Sequence, residues 1–124
     1  MKKVDEILQH IEFCINKNQF VKLENEKVDL KDNSHHTSEW HEVFKTTAAF
    51  LNTNGGIIII GVHEDEKNNR YIFKGFDSRN EEKIKTIINQ FTDDADNKKD
   101  MAENIRFETK TFLRGILSSC SIFL

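Results

Sequence analysis

Proline is absent from the 124 residues. Without the residue that breaks a helix from within, nothing in the chain marks a sharp linker, and each element has to end on other signals. Cysteine is almost absent as well: Cys14 and Cys120 stand far apart in the sequence. They supply neither a disulfide framework nor the closely placed ligands of a structural zinc site. Long apolar runs are missing. The longest, from Ile57 to Ile60, falls far short of the roughly 20 residues that a membrane helix needs, so no helical span is expected. The opening MKKVDEILQHIEF shows helical alternation in place of the uninterrupted apolar core of a signal peptide, and the cytoplasm is the expected compartment. Nor is there an excess of positive charge. Lys and Arg total 18 against 21 Asp and Glu, a formal charge of -3 with a pI near 5.9, so contact with nucleic acid would have to use a local patch.

What is present is enough for a folded core. Apolar residues make up 37% and charged residues 31%, with 10 Phe, which excludes a disordered chain and fits one domain over residues 1–124. Val4, Ile7, Leu8, Ile11 and Ile15 fall at helical spacing and predict a first helix. Val21 to Leu23 and Lys27 to Lys31 alternate at period two and predict one or two short strands. Thr37 or Ser38 can cap a second helix carrying Trp40, Val43, Phe44, Thr47, Ala48 and Leu51. That helix stops at Asn52-Thr-Asn-Gly-Gly56, where two glycines supply the backbone angles of a sharp exit. Ile57 to Val62 then reads as a strand buried on both faces.

A polar turn over 63–70 leads to a returning strand, Tyr71 to Phe76. Ile84, Ile87, Ile88 and Phe91 define a third helix, capped by Asp77-Ser78 or Asn80 and ending near Thr92. Residues 93–104 are acid- and lysine-rich and read as a linker or loose helix. Ile105, Phe107 and Phe112 suggest a strand, and Gly115 to Leu124 one more, ending on apolar residues as a truncated chain would. The expectation is a mixed α/β (α+β) fold, a small central sheet with flanking helices.

Few residues suggest chemistry. On an extended strand Asp29 and Lys31 share a face, a carboxylate beside an ammonium. Hard carboxylate oxygens hold Mg²⁺ or Mn²⁺, and a lysine can stabilise charge on a phosphate. Acid-x-Lys triplets on exposed strands are more often solvated ion pairs, so the signal is weak alone. Glu64-Asp65-Glu66 follows the Ile-rich strand, where functional groups gather in mixed folds and a third carboxylate could complete a metal site, but a soluble hairpin turn is the commoner explanation. His35, His36 and His41 lack partners for a zinc site. Asp94, Asp96 and Asp100 lack the glycine of a calcium loop. Asn54-Gly55-Gly56 follows a helix, unlike the glycines of a nucleotide loop, and Ser118, Ser119 and the cysteines have no activating base.

Glu24-x4-Asp29-Leu30-Lys31, then Trp40, then Lys45 through Ala-Phe-x-Asn-Thr-x-Gly-Gly and the Ile run to Gly-Val62 form one long ordered pattern. It resembles the Schlafen-type, AlbA-like nucleic-acid-binding domain, from about Glu24 to Phe91, within a motif core of about 20–92. The resemblance implies a single lobe that binds DNA or RNA, and in some members a metal-dependent endoribonuclease acting on structured, tRNA-like RNA through three acids. By motif position these are Glu24, Asp29 and one of Glu64 or Asp65, with Glu24, Asp29 and Glu64 holding Mg²⁺ or Mn²⁺. Glu26 competes with Glu24, and Asp29 stands where the family usually has glutamate. Lys27, Lys31, Lys45 and Arg70 are the expected phosphate contacts. Catalytic members enclose RNA between two lobes, so a single lobe implies a homodimer or a missing half. Many bacterial members are modules of longer regulators, and this chain is expected to be such a piece. The alternatives are a non-catalytic DNA-binding module of a transcriptional regulator and a protein-interaction domain.

Overall fold

The computed structural model describes residues 4–23, 27–32, 37–53, 55–89, 105–112 and 115–122, with the side chains of 37–40, 78, 87–89 and 122 outside that description. The order is α1 (Val4–Asn16), β1 (Val28–Lys31), α2 (Thr37–Leu51), β2 (Gly56–Ile60), β3 (Val62–Asp65) and β4 (Arg70–Phe73). A 3-10 turn (Ser78–Asn80) then opens α3 (Glu81–Asn89), and β5 (Ile105–Phe112) and β6 (Gly115–Ile122) complete it. Four strands form one sheet in the order β1-β2-β6-β5, and β3 and β4 form a separate hairpin. Only the β1–β2 pairing in the larger sheet is parallel. This is a mixed α+β architecture with a small central sheet between helices, as the order of sequence patterns predicts.

β2 is buried at all five positions. Its neighbouring side chains alternate between faces, so Ile58 and Ile60 meet Val43 and Phe50 of α2 and Ile84 of α3, while Ile57 and Ile59 meet Ile7, Leu8 and Ile11 of α1. The Ile-rich run thus serves two cores at once. α1 presents Ile7, Leu8, Ile11 and Cys14 on one stripe, carries Asp5 and Glu6 at its positive end, and stops where Asn18 adopts a φ of 52°. The Gln19 amide then donates to the Cys14 carbonyl at 2.9 Å.

The two glycines after α2 have different tasks. Gly55, with a φ of 87°, turns the chain out of the helix, its amide donating to the Phe50 carbonyl at 3.0 Å. Gly56 is required for space: a Cβ there would lie 2.6 Å from the Phe50 ring. The carboxylate of Asp77 accepts the Arg79 amide at 3.0 Å and so closes the turn that leads into α3.

Several elements differ from the sequence reading. The strand predicted over Ile57 to Val62 is interrupted at Gly61, whose φ of 111° redirects the chain from the large sheet into the hairpin. Part of the predicted turn over 63–70 is strand β3, because Val62 to Asp65 pairs with Arg70 to Phe73. The returning strand ends at Phe73. Val21 to Leu23 makes no strand, its polar groups being taken by side chains of α1 and β4. The predicted linker over 93–104 and the end of the third helix beyond 89 lie outside the described residues.

β6, predicted as a short last strand, is the inner strand between β2 and β5. Its Ser118 is 1% exposed and its hydroxyl has no hydrogen-bond partner. Burying an unpaired hydroxyl costs free energy that alanine avoids. Ser118→Ala is therefore expected to be neutral to stabilising by about 1 kcal/mol, raising the thermal midpoint by about 3–5 °C at most. Calorimetry checks this, and a loss of more than about 1 kcal/mol would mean that the hydroxyl is paired. Cys120 on the same strand faces the α2 core while Cys14 faces the α1 core, and burial pushes the Cys120 thiol up to about 12.

Candidate nucleic-acid interface

β1 is an edge strand, and its alternation decides where the predicted acid–lysine pair goes. Val28 and Leu30 pack toward the α1 core. Asp29 and Lys31 are in register with Ile58 and Ile60 and so emerge on the opposite face, at the border of the α2 core. There the Lys31 ammonium lies 2.9 Å from Asp29 Oδ2. That oxygen is out of reach of solvent and makes no hydrogen bond of good geometry, so the ion pair alone compensates its burial.

Gly61 sets where the second acid lies relative to β1. With the chain redirected there, the hairpin runs beside β1, its Gly61 amide donating to the Lys31 carbonyl at 2.8 Å. Glu64 on β3 is three-quarters buried and close enough to Asp29 to feel its charge. Burial holds the Glu64 carboxyl above the usual carboxylate range, a hydrogen bond with Glu66 adds to this, Lys22 opposes them, and repulsion from Glu66 and, least, from Asp29 raises it further. Lys22 sits 2.9 Å from Glu66 and 4.0 Å from Glu64. Asp32 and His63 pair across the same junction at 3.5 Å.

The raised Glu64 makes a prediction with a definite sign. The native state binds this proton more tightly than the unfolded chain, so stability due to Glu64 falls as pH rises from the ordinary value of 4.5 through the raised native one. Glu64→Gln keeps a partner for Glu66 and removes the loss. Its stability is expected to exceed the parent's at neutral pH and to match it below the ordinary Glu value, as thermal melts across pH 3–8 would read out. A variant less stable at neutral pH would overturn the assignment.

The other predicted residues are distributed more widely. Asp65 follows Glu64 on an extended strand and so points to the opposite face. Its carboxylate accepts Asn68 at 2.8 Å and Arg70 at 3.2 Å within the hairpin turn, which holds it below the usual range. Arg70 is thereby committed to Asp65. Lys45 lies on the exposed face of α2, 3.8 Å from Glu42. Lys27 leads into β1, its carbonyl accepting the Ile57 amide at 2.7 Å. Glu24 and Glu26 lie outside the described residues, as do His35 and His36.

Sequence reasoning missed Lys22 and Tyr71. The Tyr71 hydroxyl donates to the Val21 carbonyl at 2.9 Å and accepts the Leu23 amide at 3.2 Å, securing the segment that carries Lys22. Burial pushes the Tyr71 hydroxyl up to about 12, so it stays a donor. No local pattern betrays these residues, because their partners lie more than forty positions away.

Carboxylates suit a hard divalent cation in donor chemistry, but the buried Asp29 Oδ2 is already engaged by the Lys31 ammonium. Among the described residues no three His, Cys, Asp or Glu side chains are grouped to hold a metal ion. A cleft of about 270 Å³ beside α1 is lined by Cys14, Asn18, Arg70 and Tyr71, among others, and by neither Asp29 nor Glu64. No helix among the described residues is long and apolar enough to cross a membrane.

A family model described as Schlafen, AlbA_2 matches residues 24–117. No curated protein matches the chain. The matched span covers β1, the helix that exits at Gly-Gly, the buried β2, the hairpin and the return through β5 into β6. It takes in well over half of the sequence, and the chain belongs to the Schlafen AlbA_2 family of nucleic-acid-related domains.

Proposed function

We propose that this domain binds structured RNA at the junction of β1 and the β3–β4 hairpin and cleaves it with a divalent cation, Mg²⁺ or Mn²⁺, held by Asp29, Glu64 and Glu24. The observation that supports the proposal is the Asp29–Lys31 pair at 2.9 Å on edge strand β1, beside the hairpin that carries Glu64 with its carboxyl held above the usual range chiefly by burial. A carboxyl held above its usual range is a common mark of a functional group. When bound, the metal lowers the pKa of a coordinated water and offsets charge on the phosphate. Lys31 supplies a positive group at the same place and is placed to hold a phosphate oxygen once its carboxylate partner is engaged elsewhere. Lys27 and Lys45 extend the phosphate contacts. With a net charge of -3 the affinity must come from this local arrangement, so it should fall steeply with salt.

The test is incubation of the protein with folded tRNA and with duplex DNA, with and without Mn²⁺ or Mg²⁺, alongside Asp29→Ala checked for folding by circular dichroism. Metal-dependent cleavage of tRNA is expected, falling by about a hundredfold or more in Asp29→Ala. A second reading has its own observation: Lys31, Lys22 and Arg70 each already neutralise an acid, as on a solvated recognition surface. Salt-sensitive binding without cleavage would favour that reading, a DNA- or RNA-binding module, and absence of both would point to a protein-interaction domain.

A further inference from the structure

β5 is the far edge of the larger sheet, eight residues long, and among the described residues no strand pairs with its outer side. Its register fixes which backbone groups point there. Phe112 and Gly115 are partners with only two residues between them, so they exchange both hydrogen bonds of a closed hairpin pair. Bonded and non-bonded pairs alternate along an antiparallel ladder, so Lys110, Glu108 and Arg106 also spend their amides and carbonyls on β6. Those of Ile105, Phe107, Thr109 and Thr111 face outward. β6 agrees: the Ile116 carbonyl, opposite Thr111, turns away from β5 and accepts the Phe76 amide at 2.6 Å. A long edge with open amides and carbonyls, and no proline to blunt it, is a template for another strand. The opposite edge, β1, has four residues and the β3–β4 hairpin beside it.

We infer that two copies of this chain associate through β5, edge to edge and antiparallel, with Thr109 opposite Thr109 on a two-fold axis. The side chains select this register. Arg106, Glu108, Lys110 and Phe112 share the face that carries α1, where Phe112 packs and Lys110 meets Asp5. Centred on Thr109, Glu108 of each copy stands opposite Lys110 of the other, and Arg106 opposite Phe112, while Phe107 and Thr111 exchange backbone bonds. The charged residues fall in the non-bonded pairs, whose side chains lie closer. A centre at Glu108 would set Glu108 against itself and Arg106 against Lys110, and a centre at Lys110 would set two ammoniums face to face. Centres at Phe107 or Thr111 run off an end of the strand within two residues. Because β5 of each copy meets β5 of the other, both open edges are consumed and the assembly closes at two.

Analytical ultracentrifugation at rising concentration tests this on the parent chain, Glu108→Lys, Lys110→Glu, the double exchange and Thr109→Pro, with thermal melts to check folding. The parent is expected to reach twice its mass of 14.5 kDa. Each single exchange puts like charges opposite at two places and is expected to weaken the dimer about tenfold or more. The double exchange, and an equal mixture of the two single variants, should restore it. Thr109→Pro removes an outward amide without touching the β6 ladder, so it should stay folded and monomeric. Should that variant unfold, the charge exchanges decide. A parent that remains a monomer overturns the inference and leaves the edge to a different partner or to solvent. A dimer indifferent to the exchanges, or to a folded Thr109→Pro, overturns it too by placing the contact elsewhere.

Discussion

Gly61→Ala is expected to destabilise the domain by about 3 kcal/mol or more, measured by urea unfolding. Two costs add. A φ of 111° lies where side chains other than glycine are strained, a penalty of about 1–3 kcal/mol. A Cβ would also stand 2.8 Å from the Gly75 carbonyl carbon and 2.9 Å from Leu117 Cδ2. The leucine tip can shift, but the Gly75 backbone is fixed, since the Lys74 and Gly75 amides both donate to the Gly61 carbonyl, at 2.7 and 2.9 Å. Relief therefore requires moving the hairpin, and Glu64 with it. A loss below about 1 kcal/mol would show that the junction is soft and that the approach of Glu64 to Asp29 is not held by it.

Ile58→Ala and Ile59→Ala are each expected to cost about 2–5 kcal/mol, and by similar amounts. Both side chains are fully buried, yet they point to opposite faces. Ile58 packs among Val43, Phe50, Ile84 and Cys120, and Ile59 among Ile7, Ile11, Tyr71 and Leu117. In a sheet covered on one face only, one of two consecutive truncations would be nearly silent. Thermal and denaturant unfolding of the two variants measures this, and a loss below about 1 kcal/mol in either would remove one of the two cores.

Much of the architecture was legible in the residues themselves. The stripe Ile7, Leu8, Ile11 could only be one face of a helix, the unbroken Ile57 to Ile60 could only be buried on both sides, and alternation in Val28 to Lys31 put Asp29 and Lys31 on one face. These are local periodicities, and burial follows period. The hairpin was half-hidden because polar β3, His63-Glu64-Asp65, has the composition of a turn and becomes a strand only by pairing with β4. The place of β6 was hidden for a related reason. Its Ser118, Ser119 and Ser121 are buried although serine carries little hydrophobic signal, and small side chains on an inner strand leave room for the isoleucines opposite.

The candidate site divides along the same line. The acids and Lys31 were nameable from motif and spacing, as was membership of the family. The surroundings of the two neighbouring acids were not, since Glu64 and Asp65 differ only in which face they take: one lies near Lys22 and Glu66, the other in the hairpin turn with Asn68 and Arg70. Lys22 and Tyr71 had no signature at all. The sequence by itself determined the helices, the buried strand and the residue types available for phosphate and metal chemistry, because these depend on local period and composition. The tertiary structure alone decided the strand order, the break at Gly61 and the pairing of Lys22 with Glu66 and Glu64, because each depends on contacts between residues far apart along the chain.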